Sequence, residues 1–206
     1  MKRITKTVAG IMALALTLAI AGCSGGKADF STERAGEAFD KYGAEEFEEF
    51  TELTRVLNGR SPEAEGGAYY TTKDDEEIEL IAKNILFRFQ DIPDWNIEEC
   101  TFFIASSKED GSLCGIYVLN LGYEKDAIDM FDYISEKVSD DDNYTSGSRS
   151  GVNYAVGNEE TLKQNMDGVY QKGNSVLWVQ AYADEEKGLK EFESIIKDMG
   201  LVSPLK

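Results

Sequence analysis

The fold is decided by two stretches of sequence, GIYVLNLGYEKDAIDMFDYI (residues 115–134) and VLWVQAYADEEKGLKEFESI (residues 176–195). Each is typical of a strand that leads directly into an amphipathic helix. At a constant offset of 61 residues their apolar positions coincide, and the matched pairs are Tyr117 with Trp178, Val118 with Val179, Ile128 with Leu189, Phe131 with Phe192 and Ile134 with Ile195. The offset predicts an internal repeat over about residues 100–138 and 165–200, although unrelated strand–turn–helix units share this apolar pattern.

Each copy of the repeat follows a polar hairpin turn, Ser107–Ser112 in the first and Gln171–Asn174 in the second. Consecutive hairpins that each lead into a helix predict an α+β fold, in which an antiparallel sheet carries its helices on one face. Two N-terminal helices are expected before the repeats, one within residues 39–57 and one opening at Asp74. Residues 36–206 are thus predicted to form a single domain of ordinary size.

Two cysteines lie in the first predicted hairpin. If its strands pair around Glu109 and Asp110, Cys114 lies opposite about Ala105, and Cys100 lies five residues further along its strand. Five residues of strand span roughly 16 Å, whereas a disulfide needs Cα atoms within about 7 Å of each other. Cys100 and Cys114 are therefore predicted to be two separate, partly buried thiols.

The composition argues against the common catalytic sites. The chain has no histidine, which removes the usual general base and the commonest zinc ligand. It also has no Gly-rich phosphate loop and no Cys-x-x-Cys pair, so we expect no catalytic residues and no cofactor. Among the 39 acidic residues, Glu98 and Glu99 beside Trp95 come nearest to a catalytic carboxylate setting, but a surface corner explains them better. The run Asp140–Asn143 lacks EF-hand spacing, so no metal site is predicted.

Aromatic residues on the two repeat strands are the candidate ligand-binding residues, namely Tyr117, Trp178 and Tyr182. Trp178 and Tyr182 share one strand face, and an aliphatic set occupies the other. If the aliphatic set is the core, the aromatic face is a half-exposed platform suited to sugars, peptides or planar metabolites. If the aromatic set is the core, there is no platform.

Net charge restricts the partners of the chain. The formal charge is −18, and residues 1–22 carry Lys2, Arg3 and Lys6 without any acid, so their removal leaves −21. Such a surface repels phosphate backbones and anionic lipid headgroups. Nucleic acid is therefore not expected as a partner, and contact with a membrane would need a lipid anchor.

The N-terminus has the features of a bacterial export signal. A basic start precedes the short apolar run Val8–Ala21, and the sequence Ile20-Ala21-Gly22-Cys23 follows. This ending resembles the lipobox of bacterial lipoproteins, although an ordinary cleaved signal peptide is the alternative. The resemblance implies that residues 1–22 are removed, that Cys23 is acylated with chains such as palmitate, and that residues 23–35 form a flexible tether.

These features together predict a function class. We expect a lipoprotein anchored by Cys23 at the extracytoplasmic face of a bacterial cell membrane, acting as a non-enzymatic module that binds a small molecule or an envelope protein. The alternative is an envelope hydrolase that uses paired carboxylates.

Overall fold

The computed structural model describes residues 31–57, 66–85, 95–106, 112–140, 143–160, 164–183 and 186–205. Within these residues the helices are α1 (Thr32–Tyr42), α2 (Phe50–Leu57), α3 (Asp75–Ile85), α4 (Glu124–Val138) and α5 (Glu186–Asp198). The strands are β1 (Glu45–Glu46), β2 (Ala68–Thr72), β3 (Ile97–Ser106), β4 (Leu113–Leu121), β5 (Thr145–Arg149), β6 (Val152–Glu160), β7 (Gln164–Lys172) and β8 (Ser175–Ala183). None of these helices is long and apolar enough to span a bilayer.

The described strands form one sheet in the order β1-β2-β3-β4-β8-β7-β6-β5. Every neighbouring pair is antiparallel except β1 and β2, which confirms the predicted α+β class with a mainly antiparallel sheet. The central pair joins the two sequence stretches that led to the prediction, with Tyr117 directly opposite Trp178. The middle of the sheet is therefore formed by two strands that are far apart in sequence.

The prediction that all helices lie on one face is wrong. On the first face, α4 packs with α2 and α3 over one set of strand residues, and we call this the α4 face. The buried residues of its core are Leu53, Ile78, Ile81, Cys100, Phe102, Leu119, Leu121, Ala127, Met130, Ile134, Val138, Ala155, Val169, Val176 and Trp178. On the second face, α1 and α5 cover the alternate strand residues, and we call this the α5 face; its strand residues include Phe103, Cys114, Ile116, Val118, Leu177, Val179 and Ala181. Because both faces carry apolar side chains at the middle of the sheet, this central part is buried on both sides.

The internal repeat is not confirmed at the level of the helices. Both copies consist of a hairpin followed by a helix, β3-β4-α4 and β7-β8-α5, but the two helices lie on opposite faces of the sheet. The matched helix positions also differ in burial, since Ile128 is 41% exposed whereas Leu189 is 1% exposed. Helix α4 instead buries the neighbouring position, Ala127.

The N-terminal region contains three described helices where two were predicted. The apolar pattern of residues 39–57 is divided between α1 and α2, because Gly43 ends α1 in a left-handed conformation with φ of 92°. Helix α1 also begins at Thr32, three residues before the predicted end of the tether at residue 35. The start of α3 agrees with the prediction, since Asp74 Oδ1 accepts from the backbone N–H groups of Glu76 and Glu77.

The register predicted for the cysteine hairpin is confirmed. Cys114 lies opposite Ala105, and Cys100 lies opposite Leu119. The two side chains also point to opposite faces of the sheet, Cys100 to the α4 face and Cys114 to the α5 face. Both thiols are free, and burial raises the pKa of each well above its ordinary value, so neither is an activated nucleophile.

Gly67 lets the loop before β2 approach the sheet closely. Its φ is 87°, and a Cβ built there would lie 2.3 Å from the carbonyl oxygen of Ile104. Only glycine fits a position that has both this backbone conformation and this contact. The close approach fixes the start of β2 against β3.

Candidate functional site

An aromatic row crosses the centre of the α4 face on three neighbouring strands. The rings of Phe102 and Tyr117 stack with centroids 4.7 Å apart, and those of Tyr117 and Trp178 lie 5.7 Å apart. Trp178 is only 2% exposed. Trp178 therefore belongs to the core and does not form part of the half-exposed platform considered from the sequence.

Beyond this row, the α4 face is only partly covered. The ring of Tyr117 leans along β4, and its Oη would lie 3.5 Å from a Cβ built on Gly115. Tyr182 is half-buried and lies in register between Leu113, which is 44% exposed, and Asn165. We call the partly accessible residues beyond the row the open strip; they are Ile104, Ser106, Leu113, Gly115, Gln180, Tyr182 and Asn165.

The open strip combines apolar surface with hydrogen-bonding groups. The ring of Tyr117 lies over Gly115, and Gln180 and Asn165 carry amide groups on the same face. Tyrosine rings with accessible edges suit ligands that are apolar on one side and polar on the other. Of the three predicted residues, the structure thus leaves Tyr117 and Tyr182 partly accessible and places Trp178 behind them in the core.

A polar network lies on the opposite face, at the other end of the sheet. Glu99 Oε2 accepts hydrogen bonds from Thr32 Oγ1 at 2.9 Å and from Asn120 Nδ2 at 2.7 Å. Lys73 Nζ lies 3.3 Å from Glu99 Oε1, and Ser175 Oγ donates to Asn120 Oδ1 at 2.7 Å. The network joins the first turn of α1 to three neighbouring strands and to the segment that follows β2.

The environment of Glu99 favours its charged form. Burial by itself raises the pKa, but the hydrogen bonds from Asn120 and Thr32 and the nearby Lys73 ammonium hold the pKa of Glu99 below its ordinary value. The sequence interpretation of Glu98 and Glu99 as a surface corner is correct for Glu98, which is exposed, and wrong for Glu99. A register shift between Ile97 and Glu99 marks an irregularity that the sequence pattern did not signal.

Replacing Glu99 by glutamine is expected to lower the free energy of unfolding by about 1–3 kcal/mol at pH 7, because hydrogen bonds to a charged acceptor are lost. Since the pKa of Glu99 is lowered in the folded state, its stabilising effect is present above the unfolded pKa of about 4.3 and is lost as the pH falls through the folded pKa. Urea denaturation at pH 7 and pH 3 measures the difference between wild type and Glu99→Gln. The exposed neighbour provides the control, Glu98→Gln, and a Glu99→Gln effect of equal size at both pH values would contradict the assignment.

No catalytic arrangement is evident around the small cleft on the α5 face. The cleft is lined by Arg149, Val152, Tyr154, Tyr170 and the segment from Gly200 to Val202, none of which is an acid. Tyr170 Oη donates to the carbonyl oxygen of Val202 at 2.5 Å and so fastens the C-terminal segment to β7. Within the described ranges, no group of three or more His, Cys, Asp or Glu residues is placed to hold a metal ion.

Some predicted features lie outside the described residues. These are Cys23, the signal segment 1–22, most of the turn Ser107–Ser112, and residues 141 and 142 of the acidic run.

Comparison with known proteins gives only distant structural similarity. No protein-family model matches the chain, and no curated protein matches it. The extracellular domain of PknH from Mycobacterium tuberculosis is similar with a TM-score of 0.36 and 10% identity, over 51% of this chain and 66% of that chain. A putative uncharacterized protein from Mycobacterium smegmatis is similar with a TM-score of 0.27 and 8% identity, over 73% of this chain and 96% of that chain. The chain thus spans just under two thirds of the first of these proteins, and neither similarity supports an inference about function.

Proposed function

We propose that the protein is a bacterial lipoprotein, anchored through Cys23 on the extracytoplasmic side of the membrane, whose domain binds a ligand or an envelope protein without catalysing a reaction. The anchor rests on the basic start, the short apolar run and the Ile20-Ala21-Gly22-Cys23 sequence. The binding role rests on the open strip beside Tyr117, which is the observation that carries the proposal.

The position of α1 supports the anchored arrangement. The first described residue, Ser31, follows Cys23 by eight residues, and Thr32 is already hydrogen-bonded to Glu99. A tether of eight residues extends at most about 30 Å. The α5 face, on which Thr32 and the Glu99 network lie, is then the face turned toward the lipid, and the open strip lies on the opposite face, where a ligand has access.

The chemistry of the open strip suggests the ligand class. Its accessible groups are tyrosine rings, aliphatic carbons and amides, and it contains no basic side chain. Such a surface suits sugars, short peptides and planar metabolites, in which apolar faces and hydroxyl or amide groups alternate. Phosphorylated ligands are disfavoured by the charge of the chain, which is −21 after removal of residues 1–22.

Thermal denaturation of the mature lipoprotein in detergent, alone and with panels of sugars, peptides, amino acids and nucleosides, tests the binding role. A ligand that binds only the folded state, at a concentration of about 100 times its Kd, is expected to add about 2.7 kcal/mol to the free energy of unfolding. We expect one ligand class to raise the melting temperature and the Tyr182→Ala substitution to remove that shift.

The matched control for Tyr182→Ala is Tyr144→Ala, since Tyr144 is 37% exposed and lies outside the open strip. A ligand shift that survives Tyr182→Ala would contradict the assigned site. Conversion of a panel compound to products would support the hydrolase alternative, and the absence of any shift would favour a protein partner over a small molecule.

A further inference from the structure

The sheet ends on one side at β5, a strand that is exposed along its whole length. All five residues from Thr145 to Arg149 are exposed, and among the described strands β5 is hydrogen-bonded only to β6, in a continuous register. The opposite edge, β1, has only two residues, and both are glutamates. Natural proteins protect sheet edges with short strands, charges, proline or bulges, and β5 carries a single charge and none of the other protections.

The β5 edge also differs in charge from the rest of the protein. Residues 143–158 form the β5–β6 hairpin and contain no acid, in a chain with 39 acidic residues. The turn end of the hairpin carries Arg149, whereas the exposed Asp140 precedes the other end. The two ends of the hairpin therefore differ in charge, with Arg149 at its turn end and Asp140 shortly before its open end in the sequence.

The centre of the edge is occupied by a glycine that is covered by an aromatic ring. A Cβ built on Gly147 would lie 2.9 Å from Tyr154 Oη, so the half-buried Tyr154 side chain reaches across Gly147 to the rim of the sheet. An aromatic side chain placed over a glycine on a neighbouring strand compensates for the missing side chain and stabilises the pair. The ring is also positioned to contact whatever pairs with β5.

We propose that β5 pairs with β5 of a second copy of this chain, antiparallel and about a two-fold axis that passes through Gly147 normal to the sheet. In this register Ser146 faces Ser148 of the second copy, and Arg149 lies opposite Thr145, toward the acidic end of the second copy's edge. Antiparallel pairing makes the polarised edge complementary to itself, and the acid-free hairpin lets two highly acidic chains approach. The two Tyr154 rings lie on the same face of the joined sheet, one on each side of the axis.

The symmetry of this pair is compatible with two anchored chains. A two-fold axis normal to the sheet keeps the α5 face of both copies on the same side, and Thr32 at the start of α1 lies on that face. Both N-termini then lead toward one membrane, a point that rests on the proposed lipid anchor.

Pairing of five residues buries less area than the roughly 1,200 Å² of stable dimers, so the contact is weak in solution and gains from confinement to a membrane.

Cysteine cross-linking of differently tagged full-length chains, co-expressed and oxidised in membranes, tests the register. Opposed residues of antiparallel strands have Cα atoms close enough for a disulfide. We expect a mixture of Ser146→Cys and Ser148→Cys chains to form at least about five times more cross-linked dimer than either variant alone, because only the mixture places two cysteines face to face. Because both residues are exposed, neither substitution is expected to change the melting temperature.

Two controls separate this contact from random collision. The unsubstituted chain measures the background cross-linking from its own cysteines. Arg149→Glu is expected to reduce the cross-link in the mixture. Lys83→Glu, the same charge reversal on the surface of α3, is expected to leave the cross-link unchanged. Equal cross-linking of the single variants, no cross-link in the mixture, or adducts with another protein in place of the homodimer would each overturn the proposal.

Discussion

Replacing Trp178 by alanine is expected to lower the free energy of unfolding by about 3–5 kcal/mol, the range for removing a large aromatic side chain from a packed core. Trp178 is 2% exposed, and its ring lies 5.7 Å from that of Tyr117 in a cluster that also contains Met130 of α4. Its loss leaves a cavity between the sheet and α4 that the surrounding backbone cannot fill. Urea denaturation followed by far-ultraviolet circular dichroism measures the change without depending on the removed fluorophore.

The control for this substitution is Tyr123→Ala. Tyr123 is 66% exposed at the start of α4, so its replacement is expected to change stability by less than about 0.5 kcal/mol. A loss below about 1 kcal/mol for Trp178→Ala would contradict the packing of the aromatic row and would return Trp178 to the set of accessible ligand-binding candidates.

Replacing Cys23 by alanine is expected to abolish acylation of the protein, because the proposed lipid attaches to this thiol. Each methylene of an acyl chain contributes about 0.8 kcal/mol to membrane binding, and two chains give stable anchoring where one does not. No other described feature attracts the chain, with its charge of −21 after processing, to anionic lipid. Incorporation of an alkyne-labelled palmitate in growing cells, followed by mass spectrometry of the N-terminus, measures the modification.

Matched controls come from the two other cysteines. Cys100 and Cys114 are buried in the folded domain, so Cys100→Ala and Cys114→Ala are expected to keep the full label. Retention of label in Cys23→Ala, or a mature N-terminus that lies elsewhere than Cys23, would contradict the lipoprotein proposal and favour an ordinary cleaved signal peptide.

Local sequence features predicted local structure well. The hairpin turn placed Cys114 opposite Ala105, and the acids from Asp74 onward marked the start of α3. The structure adds a further local feature of this kind, since the chain leaves α5 at Gly200 with φ of 72°. These features depend on neighbouring residues, namely strand alternation, helix capping and the left-handed freedom of glycine. The 61-residue offset matched Tyr117 with Trp178, and these two residues do lie opposite each other, but the antiparallel register places Val118 opposite Leu177 and not opposite Val179, so the pairing does not confirm the repeat.

The face on which each helix lies could not be read from the sequence. Apolar side chains on both sides of β8, Leu177 on one and Trp178 on the other, are compatible with either helix on either face. Which helix covers which face depends on the path of the whole chain. Because α4 covers the face that carries Trp178, this residue belongs to the core. Glu99 was missed for a similar reason, because its partners Thr32 and Asn120 come from distant elements.

The central pairing of β4 with β8 has a consequence for the order in which the protein folds. The hairpins β3–β4 and β7–β8 join residues close in sequence, but Tyr117 and Trp178 are brought together only by closing a loop of about 60 residues, which costs roughly 3–4 kcal/mol of chain entropy. Until β8 is available, β4 remains an unprotected edge with apolar residues on both sides. We therefore expect the joining of the two half-sheets to be the slow step of folding. During synthesis the sheet can be completed only after the chain has been made as far as Ala183.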